Sequence, residues 1–224
     1  MHIRTDRYVL IDRTLNSGPN YWNQDLFPAW ADFTTFQYMP GLRMGAGAEP
    51  HYHDNDEFWL FTVGRGQVWL DGQTYDVTPN TLIYTPMGLV HRFQMFTDYE
   101  VVPAISRLER ARRAGHLYPE VDGPPERTVP GFVIPGADNG GPIANRGPRC
   151  PVGEYRAITL AAGERVAEAE VTRTEYWLAL NGALALSVDG LDVELGPGDL
   201  AILRAGAVRV LSSVAGGRVV LARA

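Results

Sequence analysis

The chain has little of three things that often reveal a function: cysteine, surplus positive charge and long apolar runs. Its single cysteine, Cys150, excludes an internal disulfide, and without a second thiol nearby it is a poor metal-site candidate. The formal net charge of −6, with acids and bases interspersed, leaves no basic face to attract phosphate backbones. We therefore expect neither a disulfide framework nor a nucleic-acid partner.

The N-terminal sequence shows no sign of targeting. Its first residues, MHIRTDRYVLIDRT, place charges among a few apolar side chains. No stretch there has the apolar length that a signal peptide or a membrane span requires. We expect a cytoplasmic protein that has no membrane partner.

What the chain does contain is strand-like sequence. From about residue 33 it runs in short aromatic and β-branched segments broken by Gly, Pro, Asn and Asp, with little helical periodicity. Several strands at this spacing are typical of an antiparallel barrel or sandwich, so we predict an all-β protein. The predicted strands of the first half are 33–38, 57–63, 67–70, 81–84, 91–96 and 99–103.

An internal repeat organises the chain. A shift of 118 positions, with no gap, superimposes turn residues and barrel-facing residues of the two halves. So many matches are very improbable by chance, which indicates a tandem duplication. Its length of 224 residues suits two barrels of about 100 residues each. The aligned pairs are Gly45 and Gly163, Glu57 and Glu175, Trp59 and Trp177, Leu60 and Leu178, Gly64 and Gly182, Asp71-Gly72 and Asp189-Gly190, Pro79 and Pro197, Leu82 and Leu200, Gly88 and Gly206, and Val90 and Val208.

The segment between the two halves differs in composition from both. Residues 106–114 predict a short charged helix, and a Pro- and Gly-rich linker follows. We therefore predict four parts: an N-terminal arm at 1–30, a first barrel at 31–105, a linker at 106–150 and a second barrel at 151–224. The aromatic end of the arm, 21–30, is expected to close over one barrel end or to swap onto a partner barrel.

Four potential metal ligands stand in the first half. His51 and His53 are two residues apart, so on a strand both side chains point to one face, and Glu57 keeps that parity if the strand continues. His91 begins another predicted strand. Imidazole and carboxylate together suit a divalent transition metal. We expect one divalent ion, Fe, Zn or Mn, and the sequence does not decide which.

These residues resemble the motifs of the cupin superfamily. The run from Gly45 through the two histidines and Glu57 to Gly64 is similar to the first cupin motif, with its ligand spacing intact. The second motif is similar in Pro86, Gly88 and His91. The resemblance implies two tandem cupin barrels, of the double-stranded β-helix or jelly-roll type. Homodimers are common in the superfamily, so a homodimer is expected.

The second motif departs from the usual pattern at two positions. Asn80 stands where glycine is usual, and Gln94 stands where asparagine is usual. Neither position is a metal ligand in the motif. The departures weaken the match at a turn and at one strand position and leave the ligand set untouched.

The second copy has lost the ligand set. Its three histidine positions hold Ala169, Val171 and Arg209, and of the four ligands only Glu175 persists. We predict one metal ion per chain, in the first barrel, and a buried ion pair between Arg209 and Glu175 in the degenerate second barrel. The second barrel is expected to act as support, packing partner or dimer surface, with a second ligand pocket as the alternative.

Outside the ligand set, the sequence offers only weak site candidates. Arg43, near the predicted barrel mouth, could pair with a substrate carboxylate, and the alternative is a solvated strand-end arginine. His2 and His116 are interpreted as residues without a function, at a terminus and in the linker. The catalytic residues stay open, and the candidates are Arg43, Tyr38 and Gln94. Further polar residues that could contact a substrate are Gln37 and Tyr52. Alternation along the predicted strands would point four apolar side chains into the barrel cavity: Trp59, Phe61, Trp69 and Phe93.

The predicted function is a metal-dependent cupin enzyme of the oxygenase or isomerase type that acts on a small polar metabolite. One alternative, by analogy with the cupins of hydrazine-forming synthetases, is a zinc-dependent Lewis-acid rearrangement that forms an N–N bond. Another is a non-catalytic barrel that binds a small molecule. A storage role is disfavoured, because it would not require four ligands to persist in one repeat.

Overall fold

Strands dominate the part of the chain that the structure, a computed structural model, describes: residues 2–16, 24–126, 129–136, 143 and 152–224. The predicted all-β class is confirmed. Residues 17–23 of the arm lie outside the described residues, and so do linker positions 127–128, 137–142 and 144–150, which include Cys150. Within the described ranges, helix is limited to a 3₁₀ turn at Gln24–Leu26 and one α-helix, α1, at Pro119–Asp122.

The first barrel consists of two facing sheets. Their strands are β3 (Phe33–Phe36), β4 (Met39–Leu42), β5 (Glu57–Val63), β6 (Gly66–Leu70), β7 (Gln73–Val77), β8 (Thr81–Thr85), β9 (His91–Met95), β10 (Tyr99–Ser106) and β11 (Phe132–Ile134). The larger sheet has the order β11-β8-β5-β10-β3, with β4 also paired to β10, and the smaller has the order β7-β6-β9. Strands β4, β7 and β11 were not predicted.

The second barrel is built around two long strands. The strands of its sheet are β1 (His2–Arg4), β2 (Tyr8–Ile11), β12 (Glu154–Leu160), β13 (Arg165–Glu170), β14 (Glu175–Val188), β15 (Leu191–Leu195), β16 (Leu200–Leu203) and β17 (Val208–Arg223). Strand β14 pairs with β15, β16 and β17, and β17 also pairs with β12 and β13. The two short strands of the N-terminal arm, β1 and β2, extend this sheet, because β2 pairs antiparallel with β16.

The helix predicted at 106–114 was wrong. Strand β10 continues to Ser106, where it pairs with β3, and no helix forms between residues 107 and 114. The charged composition of that stretch suits a helix, but so short a segment is only marginally stable as a helix by itself, and its first residue, Ser106, belongs to β10. The domain boundaries themselves stay a prediction.

Matched turns support the duplication. The pairs Asp71-Gly72 and Asp189-Gly190 both have positive φ at both residues, as a two-residue hairpin of this type requires. Gly64 occupies a crowded position at φ +106°, where a Cβ would lie 2.6 Å from the Cβ of Tyr99. Its counterpart Gly182 is crowded too, because a Cβ there would lie 2.3 Å from the carbonyl oxygen of Gly216.

The two barrels share a hydrophobic core. Alternate side chains of β5, such as Phe58 and Leu60, pack into one cluster with Tyr155 and Tyr176 of the second half. The Tyr155 hydroxyl donates to the carbonyl of Val102 at 3.0 Å, across the boundary. The other face of β5 points into the first barrel, which is where Glu57 lies.

Candidate metal centre

The four predicted ligands meet at one end of the first barrel. His51 and His91 are paired through their backbones, with N to O distances of 3.1 and 2.9 Å, and Glu57 begins β5. The expectation that one strand continues from His53 to Glu57 was wrong, because residues 54–56 bend before β5 starts. The bend, rather than a two-residue period, turns the carboxylate toward the imidazoles.

The donor atoms lie close together in a buried space. His53 Nε2 is 3.2 Å from Glu57 Oε2, and His91 Nε2 is 3.8 Å from the same oxygen. The ring centroid of His51 is 4.4 Å from that of His91 and 5.0 Å from that of His53. All four residues are between 0 and 4% exposed. The arrangement therefore brings three imidazoles and a carboxylate together in one buried cluster.

Hydrogen bonds orient two of the imidazoles. Nδ1 of His51 lies 2.7 Å from the carbonyl oxygen of Glu49, and Nδ1 of His91 lies 2.8 Å from that of Leu89. A carbonyl oxygen can only accept a hydrogen bond, so in the neutral rings Nδ1 carries the proton. The Nε2 atom of each ring then has a lone pair that can bind a metal ion.

Five donor atoms of the site are buried and lack a hydrogen-bond partner: Nε2 of His51, His53 and His91, and both carboxylate oxygens of Glu57. Buried polar atoms are normally paired, and leaving one unpaired costs about 1–3 kcal/mol. An occupant that accepts lone pairs would satisfy several such atoms at once. The donor set and its orientation fit a divalent metal ion.

Burial sets the protonation state of the site. It lowers the pKa of His51 to about 4 and, together with the neighbouring imidazole of His51, it lowers the pKa of His91 to about 3. The pKa of His53 also falls well below its ordinary value, chiefly because of burial. Burial raises the pKa of Glu57 to about 8. Near neutral pH the imidazoles are therefore neutral, which is the form that binds metals, while Glu57 must release a proton to do so.

The potential ligands form two overlapping triads. His53, Glu57 and His91 bring their donor atoms within 4.8 Å of one another, and so do His51, His53 and His116. His116, which the sequence analysis left without a function, has its ring centroid 4.1 Å from that of His51 and 5.1 Å from that of His53. No motif or periodicity in the linker could have indicated this proximity.

The candidate substrate residues are engaged elsewhere. Arg43 is exposed and pairs with Asp98 at 2.9 Å, as a strand-end arginine would. The Tyr38 hydroxyl donates to Glu100 at 2.8 Å. Gln94 donates to the carbonyl of Gly45 at 3.2 Å. Their roles in binding or catalysis remain predictions.

Of the remaining candidate residues, some are buried in the protein interior and others line a cavity. Tyr52 is fully buried and donates from its hydroxyl to the carbonyl of Gly123, and Gln37 is also buried. Trp59 and Phe61 pack in the interior cluster of the first barrel. A cavity of about 310 Å³ at the β6–β9 sheet is lined by Ala48, Glu49, Gln67, Trp69, Thr74, Arg92, Phe93 and Gln94.

The second barrel contains the predicted ion pair in place of the ligand set. Arg209 Nε donates to Glu175 Oε2 at 3.0 Å, and both side chains are about 5% exposed. Trp177 and Arg223 also donate to Glu175, at 2.8 and 2.9 Å. Burial alone would raise the pKa of Glu175, but these contacts, led by those of Arg209, lower it overall. The carboxylate that faces imidazoles in one repeat faces guanidinium groups in the other.

We expect Arg209→Met to destabilise the fold by about 2–3 kcal/mol. Methionine fills the space but leaves the buried Glu175 carboxylate with fewer partners, and breaking a buried pair on one side costs more than removing both charges. The double variant Arg209→Met, Glu175→Gln should therefore recover part of the loss. Urea unfolding of the three proteins measures this, and an unchanged free energy of unfolding in Arg209→Met would contradict it.

Comparison with known proteins gives one family and a consistent fold. A family model described as a cupin domain matches residues 40–102. An uncharacterized protein, y4oW of Sinorhizobium fredii, is 31% identical over 84 residues, which are 35% of this chain and only 39% of that protein. The alignment therefore spans well under half of that relative.

Solved structures extend the similarity to both barrels. The protein YlbA from E. coli aligns over 99% of this chain and 93% of its own, at 12% identity and a TM-score of 0.62. A variant of oxalate decarboxylase from Bacillus subtilis covers 81% of this chain and 66% of its own, at 16% identity and 0.60. Salicylate 1,2-dioxygenase from Pseudaminobacter salicylatoxidans covers 84% and 69%, at 13% identity and 0.55. At such identities the likeness concerns the fold alone.

None of the helices in the described residues has the length and hydropathy of a membrane-spanning segment.

Proposed function

We propose that the first barrel, in which residues 40–102 match the model of a cupin domain, is a metal-dependent catalytic centre. It binds one divalent ion through His51, His53, Glu57 and His91 and acts on a small polar metabolite. The second barrel supports the first and binds no metal at the equivalent position. A homodimeric assembly belongs to the same proposal.

The observation that carries the proposal is the cluster of unpartnered buried donor atoms. A barrel that used these residues only for stability would satisfy their polar atoms with hydrogen bonds or replace them with apolar side chains. The second repeat is an example of such a solution, because its Glu175 is hydrogen-bonded to Trp177 and Arg209. The first repeat leaves five equivalent donor atoms unsatisfied.

The protein's own contribution is orientation and exclusion of water. The carbonyls of Glu49 and Leu89 fix two imidazoles, and Trp59 and Phe61 form apolar interior surface on the β5 side of the site. An ion bound there supplies Lewis-acid polarisation of a substrate oxygen or, if it is redox-active, oxygen chemistry. We place oxygenation and isomerisation first among the reactions, and the dioxygenase among the fold neighbours is compatible with that ranking.

Metal analysis of protein purified without added metal tests the proposal. We expect about one equivalent of a divalent ion per chain, and loss of that equivalent in His91→Ala. The metal-loaded protein is then mixed with small carboxylic acids, amino acids and sugars while dissolved oxygen and products are followed. Iron with substrate-dependent oxygen uptake supports an oxygenase, whereas tightly bound zinc contradicts that reaction and favours Lewis-acid rearrangement. Absence of stoichiometric metal refutes the metal centre itself.

A further inference from the structure

The linker forms a short antiparallel pair with the strand that carries two of the ligands. Tyr52 N donates to the Leu117 carbonyl and Leu117 N to the Tyr52 carbonyl, both at 2.9 Å. Residues directly opposite each other in an antiparallel pair share a face, and faces alternate along each strand. This register places His116 opposite His53, on the face to which His51 and His53 also belong.

Polar contacts hold the linker in this register. Arg113 donates from Nε to Asp54 at 3.0 Å and from Nη2 to the Tyr52 hydroxyl at 3.1 Å. It also donates from Nη1 to the carbonyl of Asp122, in helix α1, at 3.0 Å. Asp54 directly follows His53, so the Arg113 guanidinium connects the segment that carries His51 and His53 to the linker at residue 113 and at residue 122. The position of His116 thus follows from specific contacts rather than from a free loop.

His116 differs from the other four ligand candidates in accessibility. Its side chain is exposed, whereas His51, His53, Glu57 and His91 are buried. Its donor atom nevertheless lies within 4.8 Å of those of His51 and His53. Three imidazoles and one carboxylate leave one or two coordination positions open on a divalent ion that prefers five or six ligands. The segment that carries His51 is paired with His91 on one side and with Leu117 on the other. His116 therefore approaches the site from the side of this segment that faces away from His91.

We propose that His116 is a fifth metal ligand, supplied by the linker and exchangeable with a substrate or solvent atom. The inference rests on the proposed metal centre. The four buried side chains hold the ion, and His116 occupies a position on its accessible side. On a six-coordinate ion, a substrate that chelates through two atoms would displace His116, whereas one that binds through a single atom would leave it in place.

The test uses full-length protein loaded with Co²⁺, whose visible absorption depends on coordination number and geometry. We expect His116→Ala to bind one equivalent, with affinity about 10-fold weaker in competition with a chelator and with changed band positions and intensity. Free imidazole added to His116→Gly should restore the wild-type spectrum, which a merely structural role would not allow. His2→Ala is the matched control, because it removes an exposed histidine outside the site.

The outcomes separate this inference from the proposed function. Unchanged Co²⁺ affinity and an unchanged spectrum in His116→Ala overturn the role of His116, while the metal centre stands if His91→Ala loses the ion. A changed spectrum that imidazole does not restore in His116→Gly also counts against ligation. Wild-type protein that binds no stoichiometric Co²⁺ refutes the metal centre, and the role of His116 with it.

Discussion

Replacement of His53 by alanine is expected to remove stoichiometric metal from the protein, and to do so more completely than replacement of His51. His53 is the residue that both ligand triads share, and its Nε2 lies 3.2 Å from the Glu57 carboxylate. Metal binding worth about 10–16 kcal/mol, divided among four ligands, assigns roughly 3 kcal/mol to each. Loss of one ligand then weakens binding about 100-fold or more.

Chelator competition with purified protein, combined with elemental analysis, measures this effect. His2→Ala serves as the control for a histidine outside the site and should keep both the stoichiometry and the affinity of the wild type. His51→Ala should fall between the two, because it leaves the triad of His53, Glu57 and His91 intact. One tightly bound equivalent in His53→Ala would show that the ion, if any, is held elsewhere.

The cluster of three histidines and a glutamate could be predicted from sequence because its signal is local. His51 and His53 are close in the chain, and their match to the cupin motif needs only spacing. The second repeat added a contrast, since Arg209 replaces a ligand and pairs with the retained Glu175. The same turn residues recur in both halves because each turn needs the same positive φ. Such constraints act within a few residues, which is why a single sequence reveals them.

Features that depend on contacts between distant segments could not be predicted in this way. The linker approaches the site through the pairing of Leu117 with Tyr52, and Arg113 fixes it through Asp54. Nothing in the composition of the linker indicates that pairing. Asn80 illustrates a smaller case: it replaces the usual glycine at φ +65°, a conformation that asparagine tolerates, and its side chain accepts a hydrogen bond from Arg218 of the second barrel.

The N-terminal arm is another contact that local sequence did not specify. No strand was predicted in residues 1–30, yet strand β2 pairs with β16 of the second barrel. The separate expectation that residues 21–30 close over a barrel end or swap onto a partner stays a prediction, and residues 21–23 lie outside the described residues. The sequence of β2 alternates too weakly to indicate a strand by itself. The edge of the second barrel provides the hydrogen-bonding partner that makes it one.

Glu57→Gln should weaken metal binding and stabilise the metal-free protein. Burial raises the Glu57 pKa from its ordinary 4.5 to about 8 when no ion is bound. Between those two values the folded protein retains a proton that the unfolded chain has released, so its stability falls as the pH rises from 4.5 to about 8. Glutamine has nearly the same shape and no charge, and it removes this penalty.

At pH 8 we expect metal-free Glu57→Gln to be more stable than the metal-free wild type by on the order of 4 kcal/mol, since each pKa unit is worth about 1.36 kcal/mol. Below pH 6.5 the buried histidines, whose pKa values are lowered, make both proteins more stable as the pH rises. The difference between the two proteins therefore isolates Glu57 and should shrink toward zero near pH 4.5. Urea unfolding of chelator-treated samples across this range measures it. A stability difference that stays constant with pH would show that Glu57 is ionised in the folded protein. With divalent metal added, the wild type should become the more stable of the two proteins, because only it retains the full ligand set.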